Sequence, residues 1–155
     1  MNTTKLILTA ASLLGCLLLG APANAQATSS FTVQTSGSVT TSSETVNFSG
    51  PIEITSTIVT DPLGGPPTAV VSVDARQLVA QGATTGTLFL NSGQAMLTRE
   101  LLSTDTIQTT FSFFPPGPGG FLKTKTAVVN LTLTYNLTTQ ALTNATASIT
   151  TPTFH

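Results

Sequence analysis

The sequence is poor in almost everything that carries chemistry. Its 155 residues include one cysteine, one histidine, one tyrosine and no tryptophan, and only 7% of them are charged. The cysteine, Cys16, lies in an N-terminal apolar stretch, and the histidine, His155, is the last residue. Without a second cysteine there is no disulfide, so a packed core has to hold the fold. A Ser-His-Asp or Cys-His arrangement needs a histidine fixed by its surroundings, which a frayed chain end does not provide. Zinc and iron sites fail for want of the same ligands. A calcium loop needs several acidic residues close in sequence, whereas Asp61, Asp74 and Asp105 stand apart. Neither glycine cluster leads into a helix start, so there is no phosphate-cradling loop. The expectation is a protein that is not an enzyme and takes no cofactor and no metal. Paired carboxylates of the glycosidase kind are the one catalytic option left, for example Glu44 with Glu53 or Asp74 with Glu100.

Charge is scarce as well as scattered. Beyond residue 25 the cations are Arg76, Arg99, Lys123 and Lys125, against six carboxylates, a net charge of −2 with no block of one sign. Nucleic acid needs clustered Lys and Arg to displace counterions, and an anionic membrane surface needs a basic patch, so the sequence speaks for neither partner. Solubility falls to hydroxyls. Threonine is abundant, and its branched Cβ suits solvent-facing strand positions. A surface with so little charge repulsion also tolerates association with copies of itself.

What is present begins with an address. Lys5, the apolar run Leu6 to Leu19 and the Ala23-Asn24-Ala25 triplet make a secretory signal peptide over residues 1–25, cleaved after Ala25. The run is shorter than the roughly 20 residues that a bilayer span requires. Leu13-Leu14-Gly15-Cys16 offers a minor alternative, a lipoprotein bearing its lipid on Cys16, but Leu17, Leu18 and Leu19 prolong the apolar run past the cysteine. The processed protein is expected in the periplasm or outside the cell. Residues 26–30 read as a flexible leader, 31–150 as one domain and 151–155 as a C-terminal tail.

Alternation with period two dominates the domain. In "VVNLTLTYNL" the residues Val129, Leu131, Leu133, Tyr135 and Leu137 share one face, and in "TIQTTFSFF" so do Ile107, Thr109, Phe111 and Phe113. "IEITSTIV" sets Ile52, Ile54 and Ile58 on one face, interrupted by Ser56. Shorter strands are predicted at 31–35, 46–48, 69–73, 87–90 and 145–149. Turn signals separate them, among them Ser49-Gly50-Pro51 and the stretches 61–67 and 115–120. "DARQLVAQG" allows two helical turns ending at Gly82, whereas "GQAMLTRELL" reads better as a strand. The predicted fold is all-β, an antiparallel β-sandwich or small β-barrel of about eight strands. An eight-stranded outer-membrane barrel would fit the length but lacks aromatic girdles.

One stretch stands apart: "SFFPPGPGGFLK", residues 112–123, mixes phenylalanine with proline and glycine. Prolines 115, 116 and 118 end strand pairing, and the glycines permit a reversal. The stretch is read as a hairpin crest, with Phe114, Pro115, Pro116 and Phe121 as a candidate apolar contact loop. Those side chains either dock on a partner or fold back over the domain end as a lid. A second crest is read at Asp61 to Pro67, before "TAVVSV", which recurs as "TAVVNL" after the first crest. That similarity suggests two related hairpins with both crests at one end.

The expected function is an exported, non-enzymatic structural or interaction protein of the bacterial envelope or exterior, able to associate with itself or with another envelope protein. One version has "FTVQTSG" donated as a strand to a neighbouring copy. The alternatives are a small-ligand carrier with a closed barrel mouth, and a hydrolase using paired carboxylates.

Overall fold

The structure, a computed structural model, describes residues 27–153. The signal peptide, the Cys16 alternative and His155 therefore lie outside the described residues. Among those described the fold is all-β, a single mixed sheet of nine strands: β1 (Ala27–Thr40), β2 (Thr45–Val59), β3 (Thr68–Asp74), β4 (Val79–Gly82), β5 (Leu88–Asn91), β6 (Gln94–Glu100), β7 (Thr104–Phe114), β8 (Lys125–Asn136) and β9 (Ala141–Thr150). One turn of 3₁₀ helix, Gly120–Lys123, precedes β8. No helix among the described residues is long and apolar enough to cross a membrane.

The longest hairpin is β1–β2, paired from Ala27↔Ile58 to Thr40↔Thr45. Its turn is closed by Thr41, whose N–H donates to the Glu44 carbonyl at 3.0 Å and whose hydroxyl donates to the same oxygen at 2.7 Å. β1 starts at Ala27, so most of the predicted leader is strand. Thr28 and Ser30 face Thr57 and Thr55 across the ladder, with hydroxyl oxygens 3.2 Å apart in each pair. Phe31–Gly37, the segment read as a strand for donation, is spent on pairing within its own chain.

Gly50-Pro51 was expected to end a strand, yet β2 runs straight through it. The dipeptide marks a change of partner. On the side away from β1, residues 46–49 pair with β4 and residues 53–59 with β3. Pro51 falls in the gap between the two ladders, where a residue without an N–H leaves nothing unpaired. Gly50 takes a φ of 136° there, open to glycine and costly for other residues.

From β2 the pairings pass through β1, β9, β8, β7, β5 and β4 and return to β2, while β3 and β6 extend from the second half of β2. The β1–β9 contact is parallel and consists of one bridge, Gly37↔Ile149, so the sheet is mixed where an antiparallel one was expected. Hydroxyls carry the rest of that seam. Thr35 Oγ1 donates to the Ala147 carbonyl at 2.8 Å, Ser29 Oγ accepts from the Leu142 N–H at 3.2 Å, and Thr151 Oγ1 accepts from the Thr40 N–H at 3.0 Å. Gly37 permits the approach, since a Cβ there would overlap the Ile149 carbonyl oxygen and stand 2.8 Å from the Ile149 Cβ.

No backbone ladder joins β6 to β7. β6 has β3 on one side, and β7 has β8 on one side and β5 only at its last two residues. An ion pair spans the gap: Arg99 grips Asp105 through Nε (3.1 Å) and Nη2 (3.0 Å).

The predicted inward faces pack as one core. Ile52, Ile54 and Ile58, Ile107, Phe111 and Phe113, and Val129, Leu131, Leu133 and Tyr135 are all buried. Phe48 meets Phe111 and Phe113 edge-on, with ring centroids 5.5 and 5.1 Å apart. Ser56, which interrupts the isoleucine face, is buried against the Tyr135 hydroxyl at 3.0 Å. Leu137 departs from its predicted face and is exposed, because the Asn136 carboxamide accepts the N–H groups of Thr138 and Thr139 and turns the chain out of β8.

"DARQLVAQG" is a turn and then strand β4, not a helix. Asp74 Oδ1 accepts the Arg76 N–H at 3.0 Å and the Ala75 carbonyl accepts the Leu78 N–H at 3.1 Å, after which Leu78 and Ala80 alternate into the core. The two "TAVV" copies do occupy matching hairpins, β2–β3 and β7–β8, with Ala69, Val71 and Val73 inward in one and Ala127, Val129 and Leu131 in the other. Their crests, however, sit at opposite ends. The 115–124 crest follows the end of β7 that pairs with β5, beside the 41–44 turn, whereas the 61–67 crest follows the far end of β2, where the Leu101 N–H meets the Pro67 carbonyl.

Candidate functional site

The crest is a built loop. Gly117 and Gly119 adopt φ of 97° and 74°, and the N–H groups of Gly120 and Leu122 donate to the carbonyls of Gly117 and Gly119, both at 3.1 Å. A Cβ on Gly120 would overlap the Pro115 carbonyl oxygen, so the loop closes on itself only with glycine at that position. This scaffold holds Phe121 73% exposed and Leu122 88% exposed. Phe114 and Pro115 are half-buried and Pro116 is exposed. The rings of Phe114 and Phe121 meet edge-to-face at 5.9 Å, so the outer ring is braced by the inner one and does not cover the domain end.

The structure extends this apolar loop beyond the four residues predicted. Leu90 is the cross-strand partner of Phe114 and is 53% exposed. Leu88 (58%) and Val79 (53%) join it around a depression of about 320 Å³ on the outer face of β4 and β5. Apolar surface therefore continues from the β4–β5 face over Phe114 to the crest.

Beside the crest lies an open cleft of about 460 Å³. The turn of the β1–β2 hairpin supplies Thr41, Ser42, Ser43 and Glu44; β5 and its approach supply Phe89 and Thr87; the crest supplies Pro115, Leu122 and Lys123, and the start of β8 supplies Lys125. Among the described residues the charges divide unequally. Arg76 is bound to Asp74 at 2.6 Å and Arg99 to Asp105 at 3.0 Å, whereas Lys123 and Lys125 form no ion pair. The cleft carboxylate is also engaged: Glu44 accepts the N–H groups of Thr84 (3.2 Å) and Thr85 (3.1 Å) and the Thr85 hydroxyl (2.8 Å). Those bonds, the Thr85 N–H first, hold its carboxyl below the usual range.

The carboxylate pairs read from the sequence do not assemble. Glu44, in the turn just before β2, and Glu53, within β2, are nine residues apart, roughly 30 Å at strand rise. Asp74 and Glu100 pair with opposite ends of β6 and β3, at Asp74↔Gln94 and Thr68↔Glu100. Glu53 faces Asp74 instead, and Gln77, Arg76 and Gln94 bind the two carboxylates. The Arg76 guanidinium holds Asp74 at a pKa of about 2, suited to a permanent anion and not to a proton donor. No group of three or more His, Cys, Asp or Glu among the described residues is placed to hold a metal.

Lys123, Lys125, Leu88, Leu90 and the 41–44 turn were not singled out from the sequence as a site. The one available signal was that the two lysines, the only ones after Lys5, flank Thr124 directly behind the crest. The chain matches no protein-family model, no curated protein and no solved structure.

Proposed function

We infer that the chain is an exported, non-enzymatic interaction protein of the bacterial envelope or exterior, a small closed β-barrel with β3 and β6 laid against it. Its working surface is the pole formed by the crest, the β4–β5 face and the lysine cleft. The observation that carries this reading is the pair Phe121 and Leu122, held in solvent by a loop whose glycines and backbone bonds fix its shape. A soluble domain has no packing reason to fix large apolar side chains outward, and such patches mark contact sites. The tight interior, with Phe48, Phe111 and Phe113 filling the space between strands, supports a surface function over an enclosed carrier. The engagement of Asp74, Asp105 and Glu44 in internal bonds supports a protein without acid–base chemistry.

The test is retention of the purified chain, from residue 26 on, by isolated bacterial envelopes in a sedimentation assay. The double substitution Phe121→Ser with Leu122→Ser is expected to abolish retention, and Met96→Ser, at an exposed residue on β6 away from this pole, to leave it intact. Equal retention of all three proteins would refute the assignment of the crest.

A further inference from the structure

Building on that reading, we propose that the partner of the crest pole is an anionic lipid surface: Phe121 and Leu122 enter the headgroup–acyl boundary, and Lys123 and Lys125 meet phosphate groups at the cleft. Composition alone pointed away from such a surface, because net charge averages over the whole domain. In three dimensions the two cations without an ion pair among the described residues stand together behind the exposed apolar tip. Apolar side chains that reach below the headgroups and cations that stay level with them are the two components of peripheral membrane binding. The hydroxyls of Ser42 and Thr87 line the same cleft and supply hydrogen-bond donors for phosphate oxygens, those of Thr41 and Ser43 being spent within the turn.

Two other occupants fit less well. If a second copy docked through the same patch, the two-fold axis would bring Lys123 and Lys125 of both copies to one interface, since a symmetric contact meets itself. The carboxylate in the cleft, Glu44, is bound to Thr84 and Thr85 and is in no ion pair with either lysine. A protein partner would need a hollow shaped for a convex tip and about 800 Å² of matching surface. A fluid bilayer deforms around the tip and needs neither.

The experiment is co-sedimentation of the chain from residue 26 on with phosphatidylcholine vesicles, with and without phosphatidylglycerol. The wild-type protein is expected to bind the anionic vesicles about 30-fold more tightly than the zwitterionic ones, from two lysines near a negative surface. Lys123→Gln with Lys125→Gln should reduce anionic binding to the zwitterionic level, and raised salt should do the same to the wild type. Phe121→Ser with Leu122→Ser should remove binding to both. All four side chains lie outside the core, so an unchanged urea midpoint certifies each variant as folded. Failure of the wild type to bind anionic vesicles, or binding that neither double variant weakens, would overturn the proposal. Binding to envelopes but not to pure lipid would transfer the crest to a protein or glycan partner, leaving the docking surface and removing the lipid. Loss of both would remove the docking surface as well.

Discussion

Replacing Gly37 by alanine tests the closure of the sheet, because two effects of known size pull in opposite directions. Gly37 does not have a positive φ, so on backbone entropy alone the alanine should stabilise the domain by about 0.4–1 kcal/mol. The added Cβ, however, would overlap the Ile149 carbonyl and crowd its Cβ at 2.8 Å, and both contacts are backbone or backbone-anchored, with no flexible end to yield. β1 and β9 must then separate. The bonds at risk are the Gly37↔Ile149 bridge, the Thr35 hydroxyl to Ala147 and the Thr151 hydroxyl to the Thr40 N–H. At about 1 kcal/mol each they sum to about 3 kcal/mol, leaving a net loss of about 2 kcal/mol. Urea unfolding followed by far-ultraviolet circular dichroism reads that loss directly, and a thermal melt should fall by roughly 6–10 °C for a domain of this size. Ser36→Ala, at the exposed neighbouring position, should stay within about 0.5 kcal/mol of the wild type. A Gly37→Ala protein as stable as the wild type, or more stable, would refute the close β1–β9 approach and the closed ring with it.

Three further outcomes follow from local geometry. Burial raises the Tyr135 pKa above 10.0, with the Asp105 charge adding to it; the unfolded chain therefore loses its phenolic proton first, and stability should decline as pH rises above about 10. Tyr135 is the only tyrosine and there is no tryptophan, so absorbance at alkaline pH reports it without overlap, and an ordinary phenol titration in the folded protein would contradict its burial. Asp74, lowered from 3.8 to about 2 chiefly by Arg76, adds stability that is present above its unfolded pKa and lost as pH falls from 4 toward 2. Solvent screening limits that contribution to about 1 kcal/mol, and Arg76→Ala should flatten the acid limb of a stability–pH curve. Hydrogen exchange should separate the two edges of β7: Ile107, Thr109 and Phe111, whose amides point to β8, should exchange slowly, and Thr106, Gln108 and Thr110, which point to the unladdered gap beside β6, quickly. Uniform protection along β7 would mean that β6 and β7 are laddered.

The faces of β2, β7 and β8 were readable because burial on one side writes a period of two into the side chains, as Val129, Leu131, Leu133 and Tyr135 show. Errors arose where a tertiary fact overrides a local one. Gly50-Pro51 carries a turn signature, yet it serves a strand that changes partners, and a change of partner has no local mark. Ala75 and Leu78, three residues apart, imitate a helix face, but both reach the core from an Asp-capped turn and the start of β4. The crest was visible as composition, whereas its neighbours were not. The cleft is drawn from the turn before β2, the approach to β5, the end of β7 and the start of β8, segments that only the sheet order brings together. Lys123 and Lys125 are neighbours in the sequence, but the turn and strand that complete their cleft are not.

The first and last strands of the domain meet in a single seam, and that arrangement sets an order of events. A polypeptide emerging N-terminus first completes every other ladder before β9 arrives, and until then β1 keeps a free flank. Final locking thus waits for the ten residues of β9, so a chain still being threaded through a narrow passage stays unlatched. The latch, when it comes, is fastened by three hydroxyl groups and one glycine-tight bridge.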